Sequence, residues 1–343
     1  MRFLDLLTMS VNNLRRRKLR TALTVLGVII GVASVVIMVS LGIGLNQLML
    51  EMYSSYGDMT TITIYSNDYY GFSSSDDTEA MYLTDDVIEQ FKRLDHVTAV
   101  SPLLSTYVIL KQGAYEASTD IIGVSQEYLD MIPLKEGEAP KKGDDMKLIY
   151  GNRVIQWFSN NKTGDNYWST GELPDIDYMN KPMFVIFDTN AYYQSQGGGE
   201  NQVKPPKKYM IDTAGVVEGG IDDYNSYAYS VYTEIEGLKA QLRKIYKKNP
   251  IPNQPTNKKG KPYPYFIYNQ AVVFVDDMAN VTDVQKVIND MGYQTNSQME
   301  WIEQSQATYD IIQLVLGGIG AISLFVAAIG IANTMMMSIY ERT

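Results

Sequence analysis

Two long runs of the chain carry no charge. Thr21 to Leu45, TALTVLGVIIGVASVVIMVSLGIGL, and Ile311 to Ile339, IIQLVLGGIGAISLFVAAIGIANTMMMSI, are apolar all round. A helix needs about 20 such residues to cross the hydrocarbon core of a bilayer, so each run predicts a transmembrane helix. A cleaved signal peptide would show about 7–15 apolar residues and then a small-x-small site; the first run is longer and continues into LGIGLNQLML. A core helix of a soluble protein would carry polar residues along one side. Ahead of the first run, Phe3, Leu7, Val11 and Leu14 recur every three or four positions. That stripe predicts an amphipathic helix lying on the membrane surface or packed against another helix of the assembly.

Residues 46–310 follow another pattern. Met59 to Tyr65, MTTITIY, has strand composition, and a Ser/Asp/Gly-rich loop follows to about Glu79. Thr84 predicts an N-cap for TDDVIEQFKRLD, with acids in the first turn and Val87, Phe91 and Leu94 as the apolar face. Val97–Leu110 and Ala117–Val124 predict strands about a turn at Lys111-Gln112-Gly113. Ala271–Val275, AVVFV, predicts a buried strand before a helix over Val281–Met291 with Val284, Val287 and Ile288 inward. Strand–helix–strand patterns at both ends predict one α+β, porter-like core (46–130 with 266–310) holding a β-rich insertion (131–265). Short strands, Met183–Phe187 and Met210–Val217, are expected in the insertion between Pro/Gly/Asn/Lys loops. The fold class expected is a membrane protein: two transmembrane α-helices flanking an α+β extracytoplasmic domain.

Charge sets the orientation. Arg15, Arg16, Arg17, Lys18 and Arg20 abut the first run, and basic residues beside a span stay on the cytoplasmic side. Residues 1–20 are therefore expected in the cytoplasm, 21–45 and 311–339 in a bacterial inner membrane, 46–310 outside, and 340–343 inside again. Beside a membrane helix the basic cluster points to lipid, with no nucleic-acid partner. The external segment holds 22 basic and 37 acidic residues, net charge -15, and every tyrosine but Tyr340. Such a field attracts cationic ligands such as antimicrobial peptides; solubility of an exposed domain is the favoured explanation.

Catalytic chemistry finds little support. With no cysteine there is no disulfide, thiolate zinc site or cysteine nucleophile. His96 is the single histidine, and no Gly-x-Ser-x-Gly elbow accompanies it. No Gly-x-x-x-x-Gly-Lys-Ser/Thr loop is present to cradle ATP phosphates. Neither a metal site nor a cofactor is expected in this chain. Five Asp-Asp pairs (Asp76-Asp77, Asp85-Asp86, Asp144-Asp145, Asp222-Asp223, Asp276-Asp277) lack the spacing of a calcium loop and read as caps, turns and solvated faces. In the apolar runs, Gly27 with Gly31 and Gly317 with Ala321 have the small-xxx-small spacing that lets helices approach closely. Asn333 is expected to face another helix, and Met335, Met336 and Met337 to pack or face lipid.

Three stretches resemble the MacB/FtsX family of ABC-transporter permeases: LRRRKLRTALTVLGVIIGVASVVIMVSLGIG; LTDDVIEQFKRLDHVTAVSP with IIGVSQEYLDMIPLKEGE; and AVVFVDDMANVTDVQKVINDMGYQ together with GGIGAISLFVAAIGIANTMMMSIYERT. Between them they span most of the chain outside 131–265. The resemblance implies a permease subunit without enzymatic activity of its own, in a homodimer or heterodimer, with ATP bound by a partner ABC ATPase. Tyr340, Glu341 and Arg342 would begin the segment that couples to that ATPase. The implied mechanism is mechanotransmission, in which ATP-driven closure reshapes the external domains. The implied roles are export of peptides, antibiotics or lipoproteins, with an extracytoplasmic adaptor, or control of cell-wall hydrolases. Family members continue past Glu-Arg-Thr into two further spans, so a fragment or truncated product is expected here. A two-span sensory receptor shares the topology; it would continue into a helical linker.

Overall fold

The computed structural model describes residues 18–56, 58–66, 81–196, 204–257 and 259–340. The expected amphipathic helix, Arg15–Arg17, Asp76-Asp77, Glu341 and Arg342 lie outside the described residues, as do the side chains of Arg20 and Tyr340. Two compact units are formed: Met1–Tyr53 with Trp301–Thr343, and Ser54–Glu300.

The first helix among the described residues, α1, covers Lys18–Tyr56. The strand after it, β1 (Thr61–Tyr65), starts two residues later than its composition predicts. Asp58 accounts for the delay: its Oδ1 accepts from the Thr60 amide and hydroxyl, both at 2.9 Å, and closes a turn there. The domain continues with α2 (Asp85–Phe91), β2 (Val97–Gln112), β3 (Tyr115–Val124) and α3 (Gln126–Leu129). Next come β4 (Leu134–Gly137), β5 (Lys147–Tyr150), β6 (Ser159–Asn160), α4 (Tyr167–Thr170) and β7 (Met183–Ile186). Then follow α5 (Thr189–Gln196), β8 (Tyr209–Val217), β9 (Val231–Glu234), α6 (Ile235–Tyr246) and β10 (Gln270–Val275). The last elements are α7 (Val281–Asp290), β11 (Gln294–Ser297) and α8 (Gln298–Tyr340).

Two layers of pairing organise these strands. An antiparallel sheet runs β11-β1-β10-β2, so β1-α2-β2 and β10-α7-β11 interlock as split βαβ units. Ile62 and Ile64 of β1 are fully buried and join Ile88, Phe91, Val273, Val284 and Ile288 in the main core. Each such aliphatic side chain withdrawn from water contributes about 2 kcal/mol. Strand β10 is apolar at consecutive positions because both its faces are covered: Ala271, Val273 and Val275 face the main core, Val272 and Phe274 a second cluster.

The other layer is a ring. β2 pairs with β3, β3 with β9, β9 with β5, β5 with β8, β8 with β7, and β7 returns to β2. Gly113, at φ +60°, opens the two-residue loop between β2 and β3. Strand β2 belongs to both layers: Val97–Leu103 pair with β10 and Leu104–Gln112 with β3. The change of pairing partner therefore falls inside β2, near Leu103. Strand β3 looks local to β2 in sequence, yet it pairs with β9 from the insertion.

Two helix faces also differ from expectation. On α2 the buried pair is Ile88 and Phe91, with Val87 and Leu94 at the margin. On α7 Val287 is turned outward, 46% exposed, while Gln285 is buried. The apolar count favoured Val287; a polar partner waiting for Gln285 decided the register.

Candidate functional site

Both α1 and α8 are long and apolar enough to cross a membrane, over Val25–Leu45 and Gln298–Asn333, and only 6% and 11% of those windows are buried. A soluble core helix would be mostly buried, so lipid is the medium these surfaces suit.

Within their own unit the two helices meet along a seam of small residues. A Cβ on Gly27 would stand 3.1 Å from the Ala327 Cβ, and one on Gly31 2.5 Å from the Leu324 Cγ. Gly320 faces the Ser34 Cβ at 3.2 Å in the same sense, Gly317 faces the Met38 sulfur at 3.1 Å, and Gly42 meets the Gln313 side chain. The steps along each helix are three or four residues, so one face of each is used throughout. Without side chains at these points the backbones approach closely, which is how helices gain packing energy in lipid. Ser34 and Ser323 donate to the carbonyls of Ile30 and Ile319 at 2.8 and 2.9 Å, so their hydroxyls are satisfied within the helix.

The structure places Gly27, Gly31 and Gly317 on this seam and leaves Ala321 exposed. Gly320, one position earlier and about 100° round the helix, takes the place expected for Ala321. Asn333 and Lys18 are exposed, as is Met336. Gly320, Ala327 and Ser34 were not singled out from the sequence; Gly320 and Ala327 follow Gly317 by three and ten residues and Ser34 follows Gly27 by seven, the helical spacing that marks them.

In the other unit, the first turn of α8 is anchored by a polar cluster. The Ser297 hydroxyl accepts from the Glu300 amide at 3.2 Å, the Ser-x-x-Glu arrangement of a helix N-cap. The same hydroxyl donates to Gln285 Oε1 at 2.7 Å, and Gln285 Nε2 donates to Glu300 Oε2 at 2.9 Å. Both Ser297 and Gln285 are buried. One amide of α7 thus holds the end of β11 and the start of α8 together.

Beside this cluster a cleft of about 130 Å³ opens on the sheet face away from α2 and α7. Its sheet side is Thr61, Thr63, Val272, Phe274 and Asn296; Tyr128, Met131 and Tyr227 close it from the segments that follow β3 and precede β9. The Tyr128 and Tyr227 rings stand 5.9 Å apart at 89°, and Tyr128 lies 6.4 Å from Phe274. Asp58 supplies the carboxylate, and Ser226, Ser297 and Gln298 complete the wall. Burial lifts the Tyr227 phenol above its ordinary value and the Asp58 carboxylate adds to that, so the phenol stays protonated.

His96 sits at φ +66°, with its Nδ1 3.0 Å from Asp276 Oδ2 and 3.0 Å from Asn280 Nδ2. The ring and the carboxylate are both about half exposed. Among the described residues no three His, Cys, Asp or Glu side chains gather as metal ligands. The aspartate pairs serve locally: Asp277 accepts from the Ala279 amide at 2.8 Å, Asp144 from that of Lys141 at 3.0 Å, and Asp223 from that of Gly220 at 2.7 Å.

Two lipid-suited helices flanking an α+β domain define a membrane protein with an extracytoplasmic segment. Residues 21–155 match the family described as MacB-like periplasmic core domain. The macrolide export ATP-binding/permease protein MacB of Acinetobacter baylyi is 27% identical over 349 residues, covering 98% of this chain and 44% of that protein. MacB of Vibrio parahaemolyticus is 28% identical, covering 99% and 46%; MacB 1/2 of Paracoccus denitrificans reaches 34% over 42% of this chain and 21% of its own length. Of solved structures, the periplasmic region of MacB from Actinobacillus actinomycetemcomitans is 14% identical with a TM-score of 0.43, covering 75% of this chain and 96% of that one. The core-domain match covers 21–155 and the alignments with the MacB proteins of Acinetobacter and Vibrio run end to end, so the chain is similar to MacB-type permeases along its length. It spans less than half the length of the relatives it matches end to end.

Proposed function

We propose that this chain is a permease subunit that couples ATP hydrolysis by a partner ABC ATPase to movement of its extracytoplasmic domain. The observation that carries this reading is the start of α8. Strand β11 ends at Ser297 and α8 begins at Gln298 with no loop between them. The helix has 43 residues, about 64 Å at 1.5 Å per residue, twice the thickness of a hydrocarbon core. An unbroken helix that begins at a strand of the domain and contains the apolar span is suited to carrying a displacement between the two. The basic residues Arg15–Arg20 support a cytoplasmic N-terminus, where an ATPase would act. Export of peptides, antibiotics or lipoproteins, a paired permease chain and an extracytoplasmic adaptor belong to the same reading, and so does Tyr340–Arg342 as the start of the ATPase-coupling segment.

The test is to break the helix. The chain lacks cysteine, so a spin label at Trp168→Cys on each of two copies, reconstituted with the partner ATPase, reports movement. The expected result is a distance change on ATP binding that disappears in Gln304→Pro/Ser305→Gly while ATP hydrolysis persists. A change of the same size in the broken-helix variant would overturn the coupling. Labelling of Ser10→Cys and Tyr229→Cys by a membrane-impermeant maleimide on intact cells checks the topology, with only the second expected to react.

A further inference from the structure

We propose that the cleft at Asp58 binds an alkylammonium or guanidinium group, the side chain of a lysine or arginine carried by an extracytoplasmic peptide. Size narrows the occupant first. About 130 Å³ admits one long side chain, whereas drug-sized molecules occupy pockets of about 300–1,000 Å³.

Chemistry narrows it further. Asp58 is the single charged residue of the lining, and no lysine, arginine or histidine is present there to pair an anion. Tyr128, Tyr227 and Phe274 surround the same space, and aromatic rings attract a cation placed over them within about 6 Å. Thr61, Thr63 and Asn296 offer oxygens to the remaining N–H groups, while Met131 and Val272 suit the methylene stem. The carboxylate is held in place: Asp58 Oδ1 accepts two bonds from Thr60. The segment's net charge of -15 concentrates cations around it.

The position adds a consequence. Ser297 and Gln298, which wall the cleft, are the residues where α8 begins, and Ser297 also bonds Gln285. An occupant would touch the start of the long helix. That consequence rests on the coupling reading above; the binding does not, and it is measured without the ATPase.

The experiment uses the full chain in nanodiscs of uncharged lipid. The probes are blocked Ala-Lys-Ala, its norleucine counterpart and n-butylammonium, followed by saturation-transfer NMR. The lysine peptide is expected to bind, to weaken several-fold between 50 and 300 mM salt, and to weaken about tenfold in Asp58→Asn. Asparagine keeps the oxygen that accepts from Thr60, so the turn survives. Glu172→Gln, an exposed acid outside the cleft, is expected to leave binding unchanged. Equal binding of the norleucine peptide, no change in Asp58→Asn, or an equal loss in Glu172→Gln would each overturn the site. Binding of n-butylammonium as tight as the peptide's would overturn the peptide as occupant in favour of a free amine.

Discussion

Ser34 and Gly320 face each other across the two apolar helices, the place for a glycine Cβ lying 3.2 Å from the serine Cβ. That proximity can be locked, because the chain contributes no cysteine of its own. Ser34→Cys/Gly320→Cys is expected to form a disulfide in membranes under mild oxidation, since the separation is close to the 3.5–4.5 Å that bridged Cβ atoms adopt. Adding Gly31→Val should lower the yield, because its Cβ would lie 2.5 Å from Leu324 Cγ and overpacking costs about 1–3 kcal/mol. Gel mobility without reductant reads both results.

The register of α7 separates two neighbours. Val287→Lys is expected to change stability by less than about 0.5 kcal/mol, as for an outward position. Ile288→Ala should cost about 2–5 kcal/mol by opening a cavity beside Phe91 and Val284. Thermal unfolding of the purified chain decides; similar losses in both would contradict the helix face.

The anchor at Gln285 makes a local prediction. Gln285→Leu leaves the Ser297 hydroxyl without its buried acceptor, a loss of about 1–3 kcal/mol. Faster hydrogen exchange at the Glu300 amide is expected, while the ring of strands keeps its protection.

Acid should loosen the contact among Lys111, Glu116 and Tyr192. Burial acts to raise the Glu116 carboxyl, but hydrogen bonds from Lys111 at 2.8 Å and Tyr192 at 2.6 Å outweigh it and hold the group below its ordinary 4.5. A depressed folded pKa gives stability that is present above 4.5 and lost as pH falls through the folded value. Glu116→Gln is therefore expected to lower stability at neutral pH by about 1–3 kcal/mol and to flatten the decline below pH 4.5. An unchanged acid limb in urea melts would count against it.

Much of this architecture is written in periodicity. Uncharged runs mark the spans, and alternation in MTTITIY and the unbroken AVVFV mark β1 and β10, whose faces are covered on one side and on both sides respectively. What periodicity hides is pairing between distant segments: nothing in Tyr115–Val124 announces β9 as its neighbour. The start of α8 was legible but overlooked, because Ser297-x-x-Glu300 is a capping signature sited 14 residues before the uncharged run begins at Ile311. The cleft was not legible, since Asp58, Tyr128, Tyr227 and Asn296 are far apart in the chain and meet only through the sheet order.

Because β2 spends its first half in an open sheet and its second half in a ring, the two layers share a backbone. Parting them would require tearing one ladder or cutting the strand. The motion such a shared rail leaves open is torsion about its own length, so any change of shape in this domain should be a twist that both sides feel at once.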